Sequence, residues 1–276
     1  MLPHFIPSDL LIGQYSFAGE HPEIPAYRLN GDSHFVGAFN IPSKSEEIAT
    51  VAVIANGVVT YNPLLKKPAA QIATASVIEA FGKNSSNNII LAILKDGFAL
   101  ASKRVGFLET STVCAAIVIK EQRLHIVNVG DCRIFLIRDS VARQISVTHT
   151  FEERLIEDKH VTAEQLEISR SAGSSLYQFL GFQDMDKPDF HLRLHDNEAD
   201  DQALKNQGLR LKTNDKVVLC SNGVFGYWIN RHRWQLFEEH LLKPTENPQE
   251  TVEQFVHAVR EQGAFHALTV VAVQVP

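Results

Sequence analysis

Cysteine is scarce in this chain, and that is the first constraint on what it can be. Three residues in 276, Cys114, Cys132 and Cys220, stand far apart inside or beside apolar runs. An odd count at that spacing argues against a disulfide framework or a zinc ribbon, and is read as small buried thiols in a reducing compartment. No apolar run approaches the roughly 18 residues that cross a bilayer, so a membrane-spanning class is excluded and no membrane partner is expected. The start, Met1-Leu2-Pro3-His4-Phe5, lacks a basic region followed by an apolar core. No signal peptide is therefore expected, and the expected location is cytoplasmic. Positive charge is not in excess: the formal net charge is −6 with no basic cluster, which argues against nucleic acid as a partner. Histidines are plentiful but show no His-Glu-x-x-His spacing, and no serine sits in a Gly-x-Ser-x-Gly elbow. Internal repeats and low-complexity linkers are missing as well.

What is present is an ordinary globular composition, 45% apolar and 21% charged, with alternating strand and helix signals. A β-rich apolar run over 48–55 ends at Asn56-Gly57, a turn signal. Helical spacing of Ala69, Ile72, Ala73, Ser76, Val77, Ala80 and Phe81 predicts a helix over 68–82, with Pro68 in its first turn. A second helix is predicted over 86–104, capped by Ser85 or Ser86. Four strands follow in close succession, over 110–119, 123–129, 133–137 and 142–146, which reads as an antiparallel meander. Further helices are expected over 151–159, 162–168, 174–180, 234–242 and 251–262, and strands over 191–194, 217–220 and 268–275. The acidic stretch from Asp196 to Asp201 reads as a solvated loop or short helix. Strand runs interrupted by helical pairs imply an α+β architecture with helices covering sheets.

Three segments, in order, carry a resemblance: Val127-Asn128-Val129-Gly130-Asp131-Cys132-Arg133, Leu219-Cys220-Ser221-Asn222-Gly223, and Leu268-Thr269-Val270-Val271-Ala272-Val273. They resemble the Gly-Asp-Ser-Arg, Ser-Asp-Gly and Asp-Asn…Thr-Val-Val motifs of the metal-dependent type-2C (PPM-type) protein serine/threonine phosphatases. The resemblance runs from about Asn30 to Val275. It implies a four-layer α/β/β/α sandwich of two mainly antiparallel sheets flanked by helices. A single domain over 1–276 is expected, with 1–27 as an N-terminal extension packed on it and 195–208 as an acidic insertion. In the family, two divalent cations activate a water against a phosphate ester, held by aspartates and a backbone carbonyl.

Transferred position by position, the frame is kept but several carboxylates are not. Asn30-Gly31-Asp32-Ser33 resembles the first motif, with Asp32 kept. Arg28 is the candidate for the upstream phosphate-gripping arginine, one residue closer than the usual spacing. The same segment can equally be a turn closed by an Asx-type hydrogen bond from Asn30 or Asp32. Ala-Asp-Gly-Met-Gly-Gly, whose aspartate bridges both metals and whose first glycine offers a carbonyl, becomes Ala55-Asn56-Gly57-Val58-Val59-Thr60. Asp131 survives, as an accessory-metal ligand in the family or as a turn residue between strands. Ser-Asp-Gly becomes Ser221-Asn222-Gly223, and the final Asp-Asn becomes His266-Ala267. Imidazole suits zinc better than magnesium, and a lone histidine at a strand entrance is usually structural.

Three positions that should supply carboxylates thus carry Asn56, Asn222 and His266. The expectation is a type-2C-like pseudophosphatase: a regulatory, protein-binding module for a protein partner, including a phosphoprotein, with no cofactor. The alternative is an active metal-dependent phosphatase using magnesium or manganese, its site rebuilt from Asp32, Asp131, His266 and the Gly57 carbonyl. Phe225, Tyr227 and Trp228 follow the Ser221-Asn222-Gly223 motif and are candidates for an aromatic anchor on a partner, or else for core packing.

Overall fold

The computed structural model describes residues 10–19, 30–42, 46–58, 62–83, 90–157, 176–182, 186–225, 231–264 and 266–276. Two five-stranded antiparallel sheets face each other. The first is ordered β1 (Leu11–Phe17), β10 (Leu268–Gln274), β9 (Lys216–Cys220), β6 (Arg133–Arg138) and β7 (Val141–Gln144). The second is ordered β2 (Asp32–Pro42), β3 (Glu46–Gly57), β4 (Thr112–Lys120), β5 (Arg123–Val129) and β8 (Leu209–Arg210).

The layering follows from the two-residue period of the strands. Along β3, Val51, Val53 and Ala55 face outward onto helices α1 (Lys66–Lys83) and α2 (Ile90–Gly106), while Ala52 and Ile54 face the opposing sheet. In β4, Cys114, Ala116 and Val118 meet the helices, and Val113, Ala115, Ile117 and Ile119 fill the space between sheets. Strand β10 does the same on the far side: Val271 and Val273 point inward, while Val270 and Ala272 pack under two C-terminal helices, Arg231–Leu241 and Pro248–Glu261. Both sheets are buried on both faces, so their central strands are continuous apolar runs rather than alternating ones. The architecture is the expected four-layer α/β/β/α sandwich.

Several local expectations are corrected. The four successive strands are not one meander. β4–β5 and β6–β7 are hairpins in different sheets, and the chain crosses between sheets at Gly130-Asp131-Cys132. Gly130 sits at φ +99°, and a Cβ there would lie 2.1 Å from Val113 Cγ1, so the crossing needs glycine. Residues 176–180 are not helical. Leu176 and Leu180 instead make bridges to Thr150 and Thr112, tying this segment to the sheet edge. Residues 191–194 form no strand; the pairing falls earlier, at Asp189 with Asn128. The predicted helix over 162–168 lies outside the described residues. Strand β1 comes from the expected N-terminal extension, and it pairs with β10 over its full length, from Leu11 with Gln274 to Phe17 with Leu268. In the acidic stretch a short helix spans Asp200–Lys205. Among the described residues, no helix is long and apolar enough to cross a membrane.

Candidate functional site

Strand ends and the segments flanking them deliver the candidate residues to one edge of the sandwich. Asp32 opens β2 and is the cross-strand partner of Asn56, one residue before the end of β3. Asp131 lies in the turn between β5 and β6. Ser221 and Asn222 follow β9, and His266 and Ala267 precede β10. Gly223 is packed so tightly on this last pair that a Cβ there would sit 2.0 Å from the Ala267 carbonyl oxygen and 3.1 Å from the His266 Cβ. Asp32, Asn56, Gly57, Asp131, Asn222 and His266 are therefore brought together from five separate segments. Arg28, Val59, Thr60, Tyr227 and Trp228 lie outside the described residues.

Each carboxylate at the site is occupied by neutral donors. Asp32 is fully buried. Its Oδ1 accepts from the Asn56 side-chain amide, and its Oδ2 accepts from Thr269 Oγ1 at 2.7 Å. Thr269 shares a second hydroxyl contact with Ser16 Oγ at 2.8 Å, and Asn30 Nδ2 donates to that Ser16 oxygen at 2.9 Å. The Asx-type turn also forms, with the Asp32 N–H donating to Asn30 Oδ1 at 2.9 Å. So the turn reading of Asn30 is realised, and it sets Asp32 beside Asn56 at this edge. Thr112 Oγ1 donates to the Asn56 carbonyl at 2.8 Å and fixes the strand end.

Asp131 is also buried, and its Oδ2 accepts from the Asn222 side-chain amide. Burial pushes its carboxyl above the usual carboxylate range, opposed by the Asn222 hydrogen bond and by the charge of Arg133. The turn beneath it is rigidly supported. Gly130 N–H donates to His149 Nδ1 at 2.9 Å, which leaves His149 Nε2 to donate to Asp189 at 3.2 Å. Asn128 Nδ2 bonds the Gly130 carbonyl at 3.1 Å and the Val147 carbonyl at 2.7 Å. Thr269 N–H donates to Ser221 Oγ at 3.0 Å and joins the Asn222 segment to the Asp32 network.

Two residues with no assigned role in the sequence reading belong to the site. Lys67 Nζ donates to the Asp32 backbone carbonyl. Lys66 is 9% exposed, and a Cβ on Gly31 would come within 3.0 Å of its Cε and 3.5 Å of its Nζ. Burial lowers the pKa of Lys66, and the charge of Asp32 works against that. The backbone of Lys66 also lies on Gly57, where a Cβ would meet its carbonyl oxygen at 2.2 Å. The predicted helix began at Pro68, so both lysines fell in a loop. Their signal was two adjacent cations at a helix start, where the macrodipole disfavours positive charge.

The residues present do not fit a pair of hard dications. Such ions take anionic oxygen ligands, whereas here amide N–H groups and a threonine hydroxyl already donate to the carboxylates, and two ammonium groups flank Asp32. An amide against a carboxylate presents its NH2 side, because oxygen against oxygen is repulsive. Among the described residues, no three or more His, Cys, Asp or Glu side chains are grouped so as to hold a metal ion. The cysteines do not serve either, since burial pushes the thiols of Cys114, Cys132 and Cys220 upward and keeps them protonated. Phe225 is 1% exposed and packs among Phe135, Trp234 and Phe237, so it is core and offers a partner no exposed face.

The family model described as protein phosphatase 2C matches residues 42–184. Comparison with curated proteins gives no significant match. Among solved structures, the chain is similar to the Mycobacterium tuberculosis serine/threonine phosphatase PstP/Ppp, with TM-score 0.72 at 19% identity over 96% of this chain and 98% of that one. It is also similar to the S. agalactiae serine/threonine phosphatase, with TM-score 0.72 at 15% identity over 97% and 100%. A third is the catalytic domain of PstP in complex with two manganese ions, with TM-score 0.69 at 19% identity over 97% and 99%. At these identities the structural likeness bears on the fold.

Proposed function

This chain belongs to the protein phosphatase 2C family, and from that premise we propose that it is a catalytically inactive member, a pseudophosphatase acting as a protein-binding or regulatory module. One observation carries the reading. Asp32 and Asp131 are each satisfied by the amide of an asparagine, Asn56 and Asn222, that stands where the family motif has an aspartate. Each exchange removes one negative charge from a site that would balance about four positive charges. Asn56, Asn222 and His266 together remove three. The function left to such a frame is recognition of a protein partner, including a phosphoprotein. The three buried, unpaired cysteines support a reducing, cytoplasmic setting.

Hydrolysis of an aryl phosphate and of phosphoserine and phosphothreonine peptides, measured with magnesium, manganese and zinc in turn, tests this. The expected rate is that of buffer with the same metal. A metal-dependent rate that disappears in Asp32→Ala, with the variant still folded by circular dichroism, would make the protein an enzyme.

A further inference from the structure

Resting on the same reading of the site, we infer that Lys66 and Lys67 are its resident cations: they stand against Asp32 in place of divalent metal and make the site self-neutralised. Asp32 is fully buried, and a buried carboxylate is strongly unfavourable unless it is paired and hydrogen-bonded. Its two oxygens accept from Asn56 and Thr269, which are neutral. The charge that balances it comes from the first two residues of α1. Lys67 Nζ binds the Asp32 main-chain carbonyl, Lys66 Nζ lies against Gly31, and Asp32 acts electrostatically on Lys66.

Two cations in the first turn of an 18-residue helix, with no acidic residue in that turn, oppose the helix macrodipole. Lys66 is in addition almost fully buried. Burying an ammonium at a helix N-terminus is costly, and Asp32 is an anion whose charge acts on Lys66 to offset part of that cost. His34, two residues along β2, is in the same field: burial lowers its pKa, Lys67 lowers it further, and Asp32 raises it. An aspartate restored at Asn56, the cross-strand partner of Asp32, would meet ammonium groups where a dication should sit.

Two sets of variants test this, read by manganese calorimetry and thermal melting. Asn56→Asp/Asn222→Asp/His266→Asp is expected to bind no manganese below millimolar concentration while the lysines remain. Adding Lys66→Met and Lys67→Met is expected to tighten manganese binding by roughly tenfold or more, about 1.4 kcal/mol per decade. Micromolar binding by the three-aspartate variant with both lysines intact would overturn the inference and leave the pseudophosphatase reading untouched, because that reading concerns turnover by the natural chain. Should the larger variant fail to fold, a double-mutant cycle decides. Lys66→Met/Lys67→Met should lower Tm in the natural chain and lower it clearly less in an Asp32→Asn background. Equal losses in the two backgrounds would overturn the inference.

Discussion

Replacing Asn222 by aspartate gives the sharpest test of how the site is charged. The Asn222 amide donates to Asp131 Oδ2, and Asp131 is 5% exposed with a carboxyl already pushed up by burial. In Asn222→Asp the donor becomes a second carboxylate against the first. The nearest cation is Arg133, itself buried and paired with Glu153 at 3.3 Å, so it cannot balance both. One carboxyl must keep its proton. For a group with an unperturbed pKa near 3.9, staying protonated at pH 7 costs at most about 4 kcal/mol, at 1.36 kcal/mol per unit. Residue 222 is partly exposed, and that solvation brings the expected loss down to about 2–3 kcal/mol. At roughly 2–4 °C per kcal/mol for a chain of this size, Tm should fall by about 4–12 °C at pH 7.

The pH dependence separates this from a simple lost hydrogen bond. A carboxyl whose folded pKa is raised leaves the native state holding more protons than the unfolded state. The deficit is therefore small below about pH 4 and grows as pH rises through the folded pKa. Melts in chelator from pH 4.5 to 8 on the natural chain, Asn222→Asp and Asn222→Ala provide the readout. Asn222→Ala removes the hydrogen bond that opposes the upward push on Asp131, so its gap should also grow with pH, but by clearly less than that of Asn222→Asp. A gap for Asn222→Asp that stays constant with pH, or that closes when micromolar manganese replaces the chelator, would refute the reasoning.

Two further outcomes follow from the fold. His125 has its pKa pushed down to about 4, by burial and then by Arg123, and its Nδ1 finds no partner among the described residues. The unfolded chain takes up that proton near pH 6.5 and the folded chain only near 4, so stability is lost as pH falls across that window, by about 3 kcal/mol at most. His125→Leu should flatten that limb in urea melts at pH 7, 5.5 and 4.5, and an unchanged slope would contradict the assignment. Gly130→Ala places a methyl 2.1 Å from Val113 Cγ1 at φ +99°. It should cost about 2–4 kcal/mol in equilibrium unfolding, and a loss under 0.5 kcal/mol would show that the sheet crossing is less constrained than described.

The large elements were legible because periodicity carried them. Helices α1 and α2 and the strands of the β4–β5 and β6–β7 hairpins fall close to where spacing and polarity put them. The assignment of β5 and β6 to different sheets was not legible. A strand buried on both faces has no alternation to say which sheet it joins, and only the positive φ of Gly130 marks the crossing. Strand β1 was missed because its residues are mostly half-buried along a sheet edge and its pairing partner lies more than 250 residues away. The segment at 176–180 misled because its apolar residues fit a helical face while two isolated bridges hold it extended. At the site, Asp32, Asn56, Gly57, Asp131, Asn222 and His266 were found through motif order. Thr269, Lys66 and Lys67 were not, because their roles depend on a strand entrance and a helix start meeting one carboxylate.

The central claim is that this site holds its own charge and takes no metal pair. A calorimetric titration of the metal-free natural chain with manganese, with aryl phosphate hydrolysis assayed on the same samples, measures it directly. The account predicts no binding from the micromolar to the millimolar range and no turnover above buffer. Binding of about two ions per chain, accompanied by turnover, would contradict it.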